Sequence, residues 1–185
     1  MPISNLSYVV FAGGCFWCTE AIFNRLEGVK SVVSGYTGGK TKNPSYQVVN
    51  EGSSGHVEAV KIFYNENVIS FLTLMEIFFA THDPTTLNQQ GVNKGTQFRS
   101  VIFYADNNQK EQAASFIKLL NDEKVFQNPV ITTVEPLSDF YNAEKEHQNY
   151  FENHPEEEYC RVVIKSKIEN LKHYYANKLK DKHAI

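Results

Sequence analysis

The run Gly13-Gly14-Cys15-Phe16-Trp17-Cys18-Thr19-Glu20 constrains the fold more than any other stretch of this chain. An apolar segment, Tyr8-Val9-Val10-Phe11-Ala12, precedes it and reads as a short buried strand. Ala21 to Leu26 follows, with helical character that Gly28 ends. The backbone must therefore pass from strand to helix at Cys15, through glycines that permit a sharp turn and leave the sulfur uncovered. Free N–H groups at a helix start favour an anion, and a thiolate is an anion. Cys15 is thus expected to be a reactive nucleophile, with Phe16 and Trp17 as aromatic walls for an apolar substrate group. The plainer alternatives are a small buried hydrophobe for Cys15 and simple core packing for the two rings.

The pair Cys15/Cys18 forms a C-x-x-C, a spacing also used by zinc sites. Such sites normally need a second ligand pair, and here there is no second C-x-x-C and the six histidines are scattered. No metal is expected, and no flavin or nucleotide motif is visible, so no cofactor is expected and electrons should arrive through thiols. Three cysteines, an odd number, do not make a secreted disulfide framework. Pro2 to Ser7 lacks a charged region followed by an apolar one, so no signal peptide is read there. A reducing, cytoplasmic setting is the expectation. The net charge of −3 argues against nucleic acid, and no apolar window is long enough for a membrane span. The basic stretch Lys165–Lys182 interleaves with Ile168, Leu171, Tyr174, Tyr175 and Leu179, as the solvated face of a terminal helix would.

At 185 residues the chain suits a single domain spanning 1–185, expected to be a monomer. Strands are predicted at Tyr8–Ala12, Ser31–Tyr36, His56–Tyr64, Ser100–Ala105 and Val130–Glu135. Helices are predicted at Cys15–Leu26, Phe71–Thr81, Asn108–Asn121, Ala143–Glu152 and Val162–Lys180. Mixed elements without a Gly-rich phosphate motif favour an α+β fold. The expected form is a two-layer α/β sandwich with a ferredoxin-like core and a mixed or antiparallel sheet. Two long segments, Thr37–Gly55 and His82–Phe98, read as structured loops of the kind that carry function.

Six blocks, in this order, carry a resemblance. They are Gly14-Cys15-Phe16-Trp17 with Glu20; Gly35-Tyr36-Thr37-Gly38-Gly39 with Asn43-Pro44-Ser45-Tyr46; and Gly55-His56-Val57-Glu58-Ala59-Val60. Then come His82-Asp83-Pro84-Thr85, Gly95-Thr96-Gln97-Phe98-Arg99-Ser100, and Phe140-Tyr141 with Ala143-Glu144, His147-Gln148 and Tyr150. Over nearly its whole length the chain resembles the A-type peptide-methionine sulfoxide reductases. The resemblance implies that a thiolate attacks the sulfur of methionine sulfoxide, free or in oxidised proteins. The oxygen gains protons and leaves, methionine is released, and the cysteine becomes a sulfenic acid. It also implies repair of oxidative damage, selectivity for the S epimer, and thioredoxin as reductant.

On that reading Cys15 is the nucleophile, and Phe16 and Trp17 hold the substrate methyl group. Glu58 is the proton donor. Strand periodicity places Glu58, Val60 and Ile62 on one face, and burial of that face would keep the acid protonated. The resemblance makes Tyr46 a donor to the sulfoxide oxygen as well as a substrate contact, with Tyr36 a weaker candidate. Glu20 is expected to fix the loop or the helix start. Many relatives have Asp in place of Asn93 and Tyr in place of Phe98, which shifts more of the oxygen protonation onto Tyr46 and Glu58. Two cysteines could resolve the sulfenic acid. Cys18 lies one helical turn from Cys15. Cys160 matches a resolving cysteine that many relatives carry on a glycine-rich tail, although Arg161-Val162-Val163-Ile164 follows it here. Two other readings remain at this point: a thioredoxin-like dithiol–disulfide oxidoreductase using Cys15 and Cys18, and an inactive methionine-binding module.

Overall fold

The computed structural model describes residues 6–181. The start of the Pro2–Ser7 stretch and Lys182 lie outside the described residues. Among those described, strands β1 (Ser7–Ala12), β2 (Val29–Thr37), β3 (Val57–Tyr64), β6 (Val101–Tyr104), β7 (Thr133–Pro136) and β8 (Tyr141–Asn142) form one sheet. Its order is β7-β6-β1-β3-β2-β8; β6 and β7 run parallel and every other pairing is antiparallel. Helices α1 (Phe16–Phe23) and α3 (Phe71–Ala80) complete a β1-α1-β2-β3-α3-β6 unit with central order β6-β1-β3-β2. That is the ferredoxin-like arrangement the sequence predicts.

Strand alternation divides the core. Val9, Phe11, Val60, Ile62 and Ile102 face a layer holding α1, α3 and α6 (Lys165–Tyr175). Phe11 stacks on Phe78 of α3 at 4.5 Å and tilts against Phe23 of α1 at 5.5 Å. Each such fully buried side chain contributes roughly 1.5–3 kcal/mol. Val10, Ala12, Val57, Ala59, Val101 and Phe103 face the other way, under Leu137 and Phe140. Glu58 therefore shares the helix-facing side of β3 with Val60 and Ile62, as its period-two position predicts.

The loops hold more structure than expected. Thr37–Gly55 contains α2 (Tyr46–Asn50), started by the Ser45 hydroxyl, which accepts the Val48 N–H at 3.3 Å. His82–Phe98 contains a short hairpin, β4 (Gln89–Gln90) with β5 (Asn93–Lys94). Helix α4 (Asn107–Asp122) is capped by Asp106 and packs on β6 and β7. The expected strand Val130–Glu135 pairs only over Thr133–Pro136.

The expected helix Ala143–Glu152 is a correction. The segment is a 3₁₀ turn at Lys145–His147, a left-handed Asn149 (φ 51°), and one turn of helix, α5 (Tyr150–Asn153). Tertiary bonds override its helical pattern. The Gln148 amide takes the N–H and carbonyl of Ser34 on β2, and also donates to the Ala143 carbonyl. The Glu20 carboxylate accepts the Asn149 N–H at 2.9 Å, so Glu20 anchors this turn to α1. The terminal helix also differs from expectation. Cys160–Ile164 is a wide π turn leading into α6, and Tyr174 points outward rather than into the core. No helix among the described residues is long and apolar enough to cross a membrane.

Candidate active site

Cys15 is the N-cap residue of α1, and its carbonyl accepts the Cys18 and Thr19 N–H groups. The glycines before it serve a purpose other than uncovering the sulfur. A Cβ on Gly13 would come within 2.8 Å of the Phe78 ring, and one on Gly14 (φ +96°) within 2.5 Å of the Gln90 side chain. Core rings and the β4 side chain close directly over this turn, so Cys15 is only 8% exposed.

The helix start divides its donors. The Phe16 N–H is taken by Glu58 Oε2 at 3.0 Å. The Trp17 N–H points at the Cys15 sulfur and favours its thiolate, but burial and donation of its S–H to Cys18 outweigh this and push the Cys15 thiol up. The charge settles instead on Cys18, drawn down to about 7 by the hydrogen bond from Cys15, against burial, with help from Lys167 and Tyr159. The expected Cys15 thiolate is thus one proton transfer away, in a pair that shares its charge.

Glu58 reaches the same helix terminus from β3. Burial pushes its carboxyl up to about 8, so it carries a proton at neutral pH beside Cys15. Phe16 is almost wholly covered and forms the floor of the site, against Tyr36, Tyr46, His147 and Trp17. Trp17 is half-buried, stacked on Tyr150 at 3.7 Å, with its indole N–H on His147 Nδ1. Tyr46 opens α2 and stacks on His147 at 4.3 Å. Burial pushes the Tyr46 phenol up to about 12, so it holds its proton and can donate it as a hydrogen bond. Tyr36 differs, because its hydroxyl donates to Glu144 Oε1 at 3.0 Å. Glu144 Oε2 accepts the Tyr46 N–H, and these bonds hold Glu144 below the usual carboxylate range against the opposing effect of burial.

On the other side of Cys15 lies Cys18, whose sulfur is 3.4 Å from the Tyr159 hydroxyl. Asn93 Nδ2 donates to that hydroxyl at 3.0 Å. A cavity of about 160 Å³ opens here, lined by both sulfurs, the Gln90–Asn93 hairpin, Tyr159, Val163 and Lys167. Cys160 is fully buried at the head of the π turn, and burial pushes its thiol up. None of the three cysteines is bridged. No cluster of three or more metal-ligating side chains occurs among the described residues.

Residues 7–179 match the family model described as peptide methionine sulfoxide reductase. The peptide methionine sulfoxide reductase MsrA of Deinococcus radiodurans is 49% identical over 97% of this chain and 87% of its own length. The chain belongs to the peptide methionine sulfoxide reductase family. Among solved structures it is similar to reduced Mxr1 from Saccharomyces cerevisiae, with a TM-score of 0.78 and 30% identity over 86% of this chain and 91% of that one. Methionine sulfoxide reductase A of Corynebacterium diphtheriae follows, with a TM-score of 0.73 and 29% identity over 82% and 76%. Mxr1 in complex with Trx2 shares the fold, with a TM-score of 0.55 and 23% identity over 80% and 87%.

Within this reductase, Cys15, Phe16, Trp17, Tyr46 and Glu58 converge at the start of α1, and Cys18 lies on the far side of Cys15. Asn93 donates to the Tyr159 hydroxyl, while Phe98 ends the 3₁₀ turn Thr96–Phe98 with its ring half-buried. Roles for Glu144, His147, Tyr159 and Lys167 escape sequence reasoning. Glu144 and His147 appear there only inside the sixth recurring block, Lys167 only within a basic stretch, and Tyr159 not at all.

Proposed function

We propose that this reductase, acting as one catalytic domain over 1–185, removes oxygen from the S epimer of methionine sulfoxide, with Cys15 as nucleophile and Glu58 as general acid. The observation that carries this is the joint attachment of both groups to one helix terminus. Glu58 accepts the Phe16 N–H, and burial keeps its carboxyl protonated at neutral pH. Cys15 passes its proton to Cys18 and attacks the sulfoxide sulfur. Glu58 and the Tyr46 hydroxyl supply protons and hydrogen bonds to the oxygen, which leaves as water. Water then opens the sulfur–sulfur link at Cys15, giving methionine and a Cys15 sulfenic acid. The Cys15 sulfur loses two electrons and the substrate sulfur gains two. Phe16 and Trp17 receive the methyl group.

Cys18 then attacks the sulfenic sulfur, forming the Cys15–Cys18 disulfide and releasing water. Cys160 exchanges in afterwards, and thioredoxin reduces the enzyme. Mxr1 in complex with Trx2 offers a precedent in a protein of the same fold. Three unbridged cysteines that cycle in this way suit the reducing cytoplasm. The substrates are free or protein-bound methionine sulfoxide, and the reaction serves repair of oxidised proteins.

The test is NADPH consumption with thioredoxin, thioredoxin reductase and separated sulfoxide epimers. Turnover on the S epimer supports the proposal. Turnover confined to protein disulfides would instead indicate a general dithiol oxidoreductase.

A further inference from the structure

We propose that Tyr159, oriented by Asn93, is a positioning residue that holds Cys18 as a thiolate for its attack on oxidised Cys15. The proposal rests on Cys18 being the first resolving partner.

The direction of the hydrogen bonds carries the argument. An amide nitrogen can only donate, so Asn93 Nδ2, 3.0 Å from the Tyr159 oxygen, occupies a lone pair of that hydroxyl. The hydroxyl proton is left to point elsewhere, and the Cys18 sulfur lies 3.4 Å away. A donor chain therefore runs from Asn93 to Tyr159 to Cys18 and ends on sulfur. An aspartate at 93 would reverse it, because a carboxylate accepts the phenol proton and withdraws it from Cys18. Asn93, uncharged and with its N–H on the phenol oxygen, leaves Tyr159 as a donor to Cys18.

Placement agrees. The β5 residue Asn93 and Tyr159 close one side of the cavity onto which both sulfurs open. The phenol also sits at the head of the π turn, so the wide turn and the contact with Cys18 share one point of the chain. The other groups around Cys18 favour or permit the thiolate at neutral pH. The Lys167 ammonium attracts it, and burial holds His82 neutral by pushing it down to about 4. Burial keeps Glu58 and Cys160 protonated, and Glu58 opposes the thiolate only as it ionises near 8. Cys15 donates its S–H to Cys18 in the resting enzyme.

Cys18 first gives up to solvent the proton it took from Cys15; its thiolate then displaces hydroxide from the Cys15 sulfenic sulfur, so that the S–O bond breaks and an S–S bond forms. Cys18 is oxidised by one electron, Cys15 sulfur is reduced by one, and the hydroxide leaves as water with a proton from Glu58, which the water that opened the sulfur–sulfur link has reprotonated. Thiolate attack depends on the fraction ionised, so a donor that stabilises Cys18 sets the pH at which this step runs.

The experiment uses the full chain, one equivalent of methionine S-sulfoxide and no reductant. Methionine release and Cys15–Cys18 bridge formation are followed separately by rapid quench, from pH 6 to pH 9.5, in wild type, Tyr159→Phe and Asn93→Asp. Both variants should release one methionine per enzyme. Bridge formation should slow about tenfold at pH 7 and recover at high pH, so that its pH profile moves upward by about one unit. A lost hydroxyl that merely loosened packing would slow the step at every pH. Unshifted profiles in both variants overturn the proposal, even if one is less stable. A Cys18→Ser enzyme that reaches a Cys15–Cys160 bridge as fast as wild type loses its thiols overturns the assignment of Cys18 itself, and is a separate result.

Discussion

The indole N–H of Trp17 donates to Nδ1 of His147 at 3.2 Å, across 130 residues of sequence. The bond fixes the Trp17 ring plane beside Cys15 and makes His147 Nδ1 the acceptor. His147 also stacks on Tyr46, so one imidazole aligns two side chains beside Cys15.

His147→Phe should therefore keep the ring stack and lose the acceptor. Loss of one neutral hydrogen bond is worth roughly 1 kcal/mol, or about fivefold in binding. KM for methionine sulfoxide should rise about fivefold while kcat changes little. A fall in kcat with unchanged KM would show that the imidazole acts in the chemical step instead.

Cys15→Ser should abolish reduction of the sulfoxide. A serine hydroxyl is not ionised near neutral pH and cannot form a sulfenic acid or a disulfide. Methionine release under single-turnover conditions checks this directly, and any stoichiometric release would move the nucleophile to another cysteine.

Glu58→Gln should slow single-turnover reduction by about a hundredfold, the usual cost of one positioned general acid. In wild type the rate should fall as pH rises through about 8, where Glu58 loses its proton. The stability consequence has a definite sign. Burial raises the folded-state value above the ordinary 4.5, so below pH 4.5 both folded and unfolded chains hold the proton. Between 4.5 and about 8 only the folded state does, and wild type loses stability as pH rises. Relative to Glu58→Gln, wild type should lose roughly 2–4 kcal/mol between pH 5 and pH 9. Glu20 titrates near 7 in both proteins and cancels from the comparison. Parallel denaturation midpoints across that range would mean that Glu58 is not held protonated.

Strand alternation makes the ferredoxin-like core and the inward face of Glu58 legible in sequence, because β1, β3 and α3 are dense in apolar residues at the right period. The strand-to-helix turn at Cys15 is legible for the same reason. The Ala143–Glu152 segment is not, because its backbone is set by Gln148 on Ser34 and Glu20 on Asn149, contacts between residues more than 100 apart. Partition of charge between Cys15 and Cys18 is equally hidden. It depends on Glu58 taking the first N–H of α1 and on Tyr159 and Lys167 arriving from the far end of the chain.

Selectivity between epimers should follow from the arrangement of three contacts. On the proposed mechanism Phe16 and Trp17 receive the methyl group, Glu58 and Tyr46 the oxygen, and Cys15 attacks the sulfur between them. Inversion at sulfur exchanges methyl and oxygen, setting the oxygen against aromatic rings and the methyl against a buried acid. Leaving a buried polar group unpaired is costly, and discrimination of this type reaches several orders of magnitude. Rates on the separated R-sulfoxide should fall at least a hundredfold below those on the S epimer. Comparable rates would show that the site leaves the oxygen in solvent.

Cys18 should resolve oxidised Cys15 before Cys160 does. Cys18 keeps the attraction of Lys167 and the Tyr159 hydrogen bond after Cys15 is oxidised, whereas the Cys160 thiol is raised by burial and has no exposed surface. Closing a two-residue gap costs little chain entropy, while a residue seated in a π turn that runs directly into α6 must unwind to move far. Strain opposes this, since a small ring at a helix start requires the first turn of α1 to open. That turn is held by the Cys18 and Thr19 N–H groups on the Cys15 carbonyl at 3.2 and 3.5 Å, the second of them a long bond. Mass mapping after one equivalent of sulfoxide, in wild type, Cys18→Ser and Cys160→Ser, separates the two orders. A Cys15–Cys18 bridge should form at the wild-type rate in Cys160→Ser. Cys18→Ser should accumulate sulfenic acid, trapped by dimedone, before any slower bridge to Cys160 appears. A prompt Cys15–Cys160 bridge in wild type, with the same rate in Cys18→Ser, would reverse the order and require the π turn to open faster than α1.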